Sequence, residues 1–203
     1  MRFLIDSAVE TIRAGKPFML ATITRSEGSS PRGVGASMLV TEDGRQTGTI
    51  GGGAVEYEAG RHAVELFAER RSETQTYRLR PNEVADLGMI CGGQAWVLFQ
   101  YFPADAATEA LLARLQAARR SGCPAYLVRA LRDGAVTDMG VFDGGELYFA
   151  SGMDAAFVRE HCAPRARIVS CAGEDAEQLL IEPVGDGERV CIFGGGHVSQ
   201  KLA

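Results

Sequence analysis

A cysteine set among glycines, an arginine behind a proline and three consecutive glycines are the residues whose types and spacing can do chemistry. They lie in three runs: Gly28-Ser29-Ser30-Pro31-Arg32-Gly33-Val34-Gly35, then Thr47-Gly48-Thr49-Ile50-Gly51-Gly52-Gly53-Ala54-Val55-Glu56, then Asp86-Leu87-Gly88-Met89-Ile90-Cys91-Gly92-Gly93. Glycine at this density removes Cβ atoms, so backbone N–H groups can approach a ligand and left-handed torsions cost little. Gly51, Gly52 and Gly53 open an amphipathic segment, whose first-turn N–H groups are suited to a phosphate or another anion. Arg32 adds a planar fork of donors for phosphate or carboxylate. A thiol such as Cys91 titrates near ~8.5 when free, and cations or helix N-termini lower that value to give a nucleophile or a soft metal ligand. Glu56, on the first helical turn, is a dipole partner or a proton acceptor for Cys91. Two plainer readings stand beside these: glycine turns connect strands, and free cysteines pack as small hydrophobes. The composite reading expects Arg32, Gly51 to Gly53 and Cys91 to face one cleft.

The elements that must hold these residues follow from apolar periodicity. Phe3, Leu4, Ala8 and Ile12 fall at helical spacing, and Gly15 with Pro17 ends that helix. Phe18 to Ile23 is a continuous apolar run of strand length that delivers the chain into the loop from Ser26 to Gly35. Ala36 to Thr41 and Arg45 to Ile50 read as a hairpin across Glu42-Asp43-Gly44. Val55, Ala59, Ala63, Leu66 and Phe67 mark one face of the next helix; strands follow at Thr74 to Leu79 and Ala95 to Phe102, with a Cys91-bearing loop between them. Trp96 is assigned to the core, and so are Cys123, Cys162, Cys171 and Cys191.

The chain then starts again. Gly15-Lys16-Pro17 before the first apolar strand matches Gly122-Cys123-Pro124 before Ala125 to Leu131, an offset of 107 residues. A turn at Asp143-Gly144-Gly145, a strand from Leu147 to Ala150, a helix from about Asp154 and a strand from Gln178 to Val184 repeat the first half's order. The expected fold class is α+β (α/β-like): an N-terminal domain over residues 1–185, made of two degenerate helix-strand-hairpin-helix halves at about 1–104 and 105–185. The second half lacks the GSSPRG run, the triple glycine and any counterpart of LGMICGG, which assigns function to the first.

Residues 186–203 begin a new unit. Arg189 to Phe193 is a buried strand, and Gly194-Gly195-Gly196-His197 opens a helix in the manner of a nucleotide-binding βαβ unit, with Ser199 where the third glycine of that fingerprint stands. Such a unit needs about 30 residues, so these eighteen are expected to be the first strand and glycine loop of a truncated Rossmann-like domain.

Composition bounds the function. A net charge of −5 argues against binding nucleic acid through a basic surface. The apolar runs are strand-sized and the first residues lack a signal peptide's apolar stretch, which points to a cytoplasmic protein with no membrane partner. Five cysteines without C-x-x-C spacing suit a reducing compartment.

The three motifs GSSPRGVG, TGTIGGGAVE and LGMICGG, followed by the strand entering GGGHVSQ, resemble the xanthine dehydrogenase accessory protein family (XdhC/CoxI), and the resemblance extends over the whole chain. It implies a chaperone that binds molybdenum cofactor (molybdopterin), holds it during sulfuration and helps insert it into a xanthine dehydrogenase-type molybdoenzyme. It also implies a cysteine desulfurase partner, a homodimer, and NAD(P) or another nucleotide in the Rossmann-like domain. On this reading Ser29, Ser30, Arg32, Gly51, Gly52, Gly53, Glu56, Cys91 and Gly92 bind the cofactor, and Cys91 contacts molybdenum or carries sulfur. The alternative is an enzyme, a thiol-dependent oxidoreductase or transferase using a nucleotide held by the downstream domain.

Overall fold

A computed structural model describes residues 2–28, 32–78, 93–171 and 177–185. Ser29, Ser30, Cys91, Gly92, Cys191 and Gly194 to His197 lie outside these residues, as does the whole of 186–203. In chain order the elements are α1 (Arg2–Arg13), β1 (Phe18–Glu27), β2 (Ser37–Thr41), β3 (Gln46–Gly48), α2 (Gly53–Glu69), β4 (Glu73–Arg78) and β5 (Gln94–Phe102), then α3 (Ala106–Ser121), β6 (Ala125–Arg132), β7 (Ala135–Asp143), β8 (Glu146–Tyr148), α4 (Ala155–His161), β9 (Arg167–Ser170) and β10 (Gln178–Pro183). The described residues thus form a mixed α+β fold with two antiparallel five-stranded sheets, ordered β3-β2-β1-β5-β4 and β8-β7-β6-β10-β9. Counted from its own first strand, each sheet has the same order.

Local sequence explains where the elements start and stop. Asp105 caps α3 by accepting the Thr108 N–H at 2.8 Å, and Gly122 ends that helix in the left-handed region at φ 72°. Asp154 caps α4, accepting from the Ala156 N–H at 2.8 Å. The apolar run of β1 is buried from Phe18 to Thr24 because both faces of its sheet are covered. Met19, Ala21 and Ile23 point into a core beneath α2, while Phe18 and Leu20 join the core shared by α1, α3 and both sheets. A third core lies between the second sheet and α4.

The inner faces change character along the strands. On β1 the order is Phe18, Leu20, Thr22, Thr24; on β6 it is Ala125, Leu127, Arg129, Leu131. Their apolar first members sit in the shared core. At the next step Arg129, fully buried, donates to Glu182 Oε2 at 2.6 and 3.1 Å, to Gln100 Oε1 at 3.1 Å and to Thr22 Oγ1 at 2.9 Å. One guanidinium therefore ties β6 and β10 to β5 and β1 of the facing sheet. Leu98, Leu131 and Leu180 then close the sheets on each other.

These positions correspond. Thr22 pairs with Leu98, and Arg129, 107 residues further on, pairs with Leu180. Leu20 pairs with Gln100 as Leu127 does with Glu182. The buried ion pair thus occupies in one sheet the positions that hold a threonine and a glutamine in the other.

Some boundaries differ from the sequence reading. β1 runs to Glu27 rather than Ile23, because its polar end still pairs with β5 down to Glu27 opposite Gln94. The alternation of Arg25, Ser26 and Glu27 carries no apolar signal there. The sequence reading names no strand at β7 or β9: Ala135–Asp143 is mostly half-exposed on its first residues, and Arg167–Ser170 is a four-residue edge strand.

Candidate functional site

The connections that carry the three glycine-rich runs leave the first sheet at one end. Glu27, at the end of β1, pairs with Gln94 at the start of β5, and Gln94 also pairs with Arg78 at the end of β4. On the other side, Ser37 at the start of β2 pairs with Thr22, and Gly48 at the end of β3 pairs with Met38. Connections 28–36, 49–52 and 79–93 therefore all leave the first sheet at the same end. Ser29 follows Glu27 by two positions, and Cys91 precedes Gln94 by three.

The triple glycine is described in full. Gly51, Gly52 and Gly53 take φ values of 139°, 75° and 62°, a sequence of torsions that residues with a Cβ rarely adopt. Gly52 is the N-cap of α2 and offers no side chain, so the cap is supplied from inside the helix. Glu56 turns back, and its Oε2 accepts the Thr49 hydroxyl, the Ile50 N–H at 3.2 Å and the Gly52 N–H at 2.9 Å. The Gly51 N–H donates to Thr49 Oγ1 at 3.1 Å. A carboxylate of the chain itself thus sits where the sequence reading puts a phosphate. Glu56 is a loop-holding residue in this structure, beyond the dipole partner that its position implied.

Arg32 lies beside this loop. It lines a hollow of about 240 Å³ together with Gly35, Ser37, Gly48 and Thr49. Gly48, at φ 89°, lies so near β2 that a Cβ there would fall 2.6 Å from the Ser37 carbonyl oxygen. Thr49 belongs both to this hollow and to the Glu56 network, so Arg32 and the triple-glycine loop are neighbours around one side chain.

A second hollow went unnoticed in the sequence. It lies between the two sheets, has a volume of about 420 Å³, and is lined by Thr24, Arg25, Ser26, Thr74 and Trp96 from the first and by Leu131, Asp133, Ile168 and Gln178 from the second. Trp96 is half-buried here rather than a core residue, with the Arg25 guanidinium carbon 4.7 Å from its ring centroid. The available signal was alternation: Trp96 and Leu98 share a face of β5, and Trp96 is the outermost of the two. Cys123 is also exposed rather than packed. Burial pushes the Cys162 and Cys171 thiols above the ordinary range, which makes both poor nucleophiles. Among the described residues no group of three or more His, Cys, Asp and Glu is placed to hold a metal ion. No helix among them is long and apolar enough to cross a membrane.

Residues 11–78, which carry β1, the Arg32 run and the Gly51 to Gly53 loop, match the XdhC and CoxI family. Over these residues the chain is similar to that family. The chain is 35% identical over 92 residues to the molybdenum cofactor insertion chaperone PaoD of Escherichia coli K12, a stretch covering 45% of this chain and 29% of PaoD. It is 40% identical over 77 residues to the uncharacterized Escherichia coli K12 protein YqeB, covering 38% of this chain and 14% of that one. In structure it is similar to a Bacillus halodurans protein solved as a xanthine dehydrogenase, with a TM-score of 0.67 and 26% identity over 88% of this chain and 52% of that one. The chain thus spans less than a third of the length of the curated relatives it matches and about half of the solved chain.

Proposed function

We propose that this chain is the cofactor-holding part of a molybdenum cofactor chaperone that keeps the cofactor during sulfuration and helps insert it into a xanthine dehydrogenase-type molybdenum hydroxylase. The observation that carries the reading is the common origin of the three glycine-rich connections at one end of the first sheet. Similarity to PaoD supports the cargo. In this reading the phosphate of the cofactor meets Arg32 in the hollow beside Thr49, and reaches the amides of Gly51 to Gly53 once Glu56 yields them. Ser29 and Ser30 contribute polar groups to the pterin, and Cys91 with Gly92 meets the molybdenum or the transferred sulfur. A cysteine desulfurase supplies that sulfur, and the protein works as a homodimer. The same proposal includes the division into 1–185 and 186–203, the origin of the first domain in two related halves, and nucleotide binding at Gly194 to His197 in the longer protein.

The test is a titration of molybdenum cofactor into the wild-type chain and Cys91→Ala. Saturable binding by wild type, with Cys91→Ala still binding but no longer supporting activation of a recipient hydroxylase, is the expected result. Failure of the wild-type chain to bind cofactor rejects the reading. Equal delivery by both chains removes Cys91 from it.

A further inference from the structure

The hollow between the sheets is built from corresponding strand positions. By the 107-residue offset of β1 and β6, Thr24 corresponds to Leu131 and Ser26 to Asp133; counted along the partner strands from the Leu98 and Leu180 pairs, Trp96 corresponds to Gln178 and Thr74 to Ile168, with a bulge at Thr24 that sets Arg25 opposite Trp96. All eight corresponding residues line the hollow, so the fold alone would make its two walls alike. The chemistry makes them unlike. The first sheet contributes hydroxyls and an indole, and the second an aliphatic floor with a carboxylate and an amide. Its volume of about 420 Å³ falls within the roughly 300–1,000 Å³ usual for small-molecule sites.

A flat ring suits these walls. The Trp96 ring with the Arg25 guanidinium over it offers a stacking surface, and Leu131 with Ile168 a nonpolar base. Asp133 adds an acceptor that can take two parallel N–H donors, as a carboxylate takes the fork of a guanidinium. The 2-amino-4-oxopyrimidine edge, shared by pterins and guanine, presents just such a pair: a ring N–H and an exocyclic amine. We propose that this cleft binds a fused pyrimidine ring of that kind, a pterin, stacked on the Trp96–Arg25 pair with its donor edge on Asp133. The choice of pterin over guanine rests on the function proposed above.

Trp96 is the chain's single tryptophan, so its fluorescence reports this cleft directly. Neopterin, which carries neither phosphate nor metal, is expected to quench it saturably, with guanosine weaker and adenosine, which lacks the donor edge, weaker still. Asp133→Asn should weaken neopterin about tenfold; asparagine tolerates the left-handed turn at this position, and an unchanged unfolding midpoint confirms the fold. Absence of saturable quenching, or equal neopterin affinity in Asp133→Asn, overturns the proposal, and tighter binding of guanosine overturns the pterin assignment. Complete cofactor binding with Trp96 unperturbed rejects the cleft while leaving the chaperone reading intact. Neopterin quenching in a chain that fails to bind the complete cofactor supports the cleft and rejects that reading.

Discussion

The two sheets make the same hairpin in different ways. Between β6 and β7 the chain turns in two residues, Asp133 and Gly134, both left-handed at φ 52° and 79°, the pairing that matches strand twist. Between β1 and β2 the corresponding turn is the connection 28–36, which carries Ser29, Ser30 and Arg32. Each hairpin end rests on the opposite sheet: the Thr74 hydroxyl of β4 donates to the Gly134 carbonyl, and Gly35 lies against Ala166, just ahead of β9. A hairpin tip already supported from outside its own sheet can be enlarged without disturbing strand order, and here the enlargement carries Ser29, Ser30 and Arg32 of the proposed site.

The helix-leading loops differ in a second way. In the first sheet the loop amides of Ile50 and Gly52 are held by Glu56, from the helix that follows. In the second sheet the amides of Ser151 and Gly152 are held at 2.8 and 2.7 Å by Asp138, from β7. Both loops concentrate N–H donors and both need a negative oxygen, but one plug belongs to a helical turn and the other to a paired strand. A side chain on the first turn of a helix can rotate away more freely than one fixed in a ladder.

The largest effect is expected where the two sheets meet. Arg129→Met leaves the Glu182 carboxylate buried without its cation and should cost about 3–5 kcal/mol in urea unfolding. Adding Glu182→Gln, which restores the residue type of the corresponding Gln100, should recover most of that loss; a double variant as unstable as the single one contradicts the argument. Burial holds the Glu182 carboxyl above the ordinary carboxylate range, against the opposing pull of Arg129. Because the folded value is raised, this group's contribution to stability is fully present below the ordinary glutamate range and is lost as pH rises through the raised value. Glu182→Gln should flatten that part of the stability profile.

Much of this architecture was legible in the sequence, and the exceptions have physical causes. The offset of 107 between Gly15 and Gly122 aligned β1 with β6, because a helix end, a proline and an apolar run are local signals. Arg129 in an apolar strand gave no sign of its partners, which come from three other strands. The Gly51 to Gly53 loop was read as a concentration of donors, and it is one, but its intramolecular acceptor depended on the rotamer of Glu56. Trp96 was placed in the core because tryptophan is apolar. Its exposure depends on where two sheets part, and one strand's sequence does not encode that.

Two glycine substitutions sharpen the hairpin comparison. Gly35→Ala forces a Cβ to within 2.1 Å of the Ala166 Cβ, at φ 84°. It should cost about 2–3 kcal/mol, from overpacking together with left-handed strain. Gly134→Ala, at φ 79° and 3.2 Å from Thr74 Cβ, should cost about 1–2 kcal/mol from the strain alone. Equal thermal unfolding shifts for the two would mean that the enlarged tip is not seated on the second sheet.

The plugs differ in a measurable way. Glu56→Ala removes the acceptor that caps α2 and should cost about 1–2 kcal/mol, yet tighten binding of a phosphate-bearing cofactor by clearing the loop amides. Asp138→Asn should cost about 1 kcal/mol and leave cofactor affinity unchanged. Burial raises the Asp138 carboxyl, but the N–H groups of Gly152, Ser151 and Met139 outweigh it and hold the group below its usual value. With the folded value lowered, its contribution is present above the ordinary aspartate range and lost as pH falls through the lowered value. A drop in acid stability that persists undiminished in Asp138→Asn would assign it to other carboxylates.

The smallest change in stability is expected at Arg32, where the proposed function separates the two hairpins most. Arg32 is exposed and contributes to none of the four cores, so Arg32→Ala should alter the unfolding free energy by no more than about 0.5 kcal/mol. Its planar fork makes charge-assisted bonds that a truncated side chain cannot, and losing them should weaken a phosphate-bearing cofactor about tenfold, or about 1.4 kcal/mol. Arg32→Lys keeps the charge without the fork and should fall between the two. Because screening by salt reaches an exposed arginine, the gap between wild type and Arg32→Ala should narrow as ionic strength rises. Isothermal titration at two salt concentrations reads both effects at once. If Arg32→Ala binds like wild type at low salt, the phosphate does not use this hollow, and the enlarged hairpin acts through Ser29 and Ser30 instead.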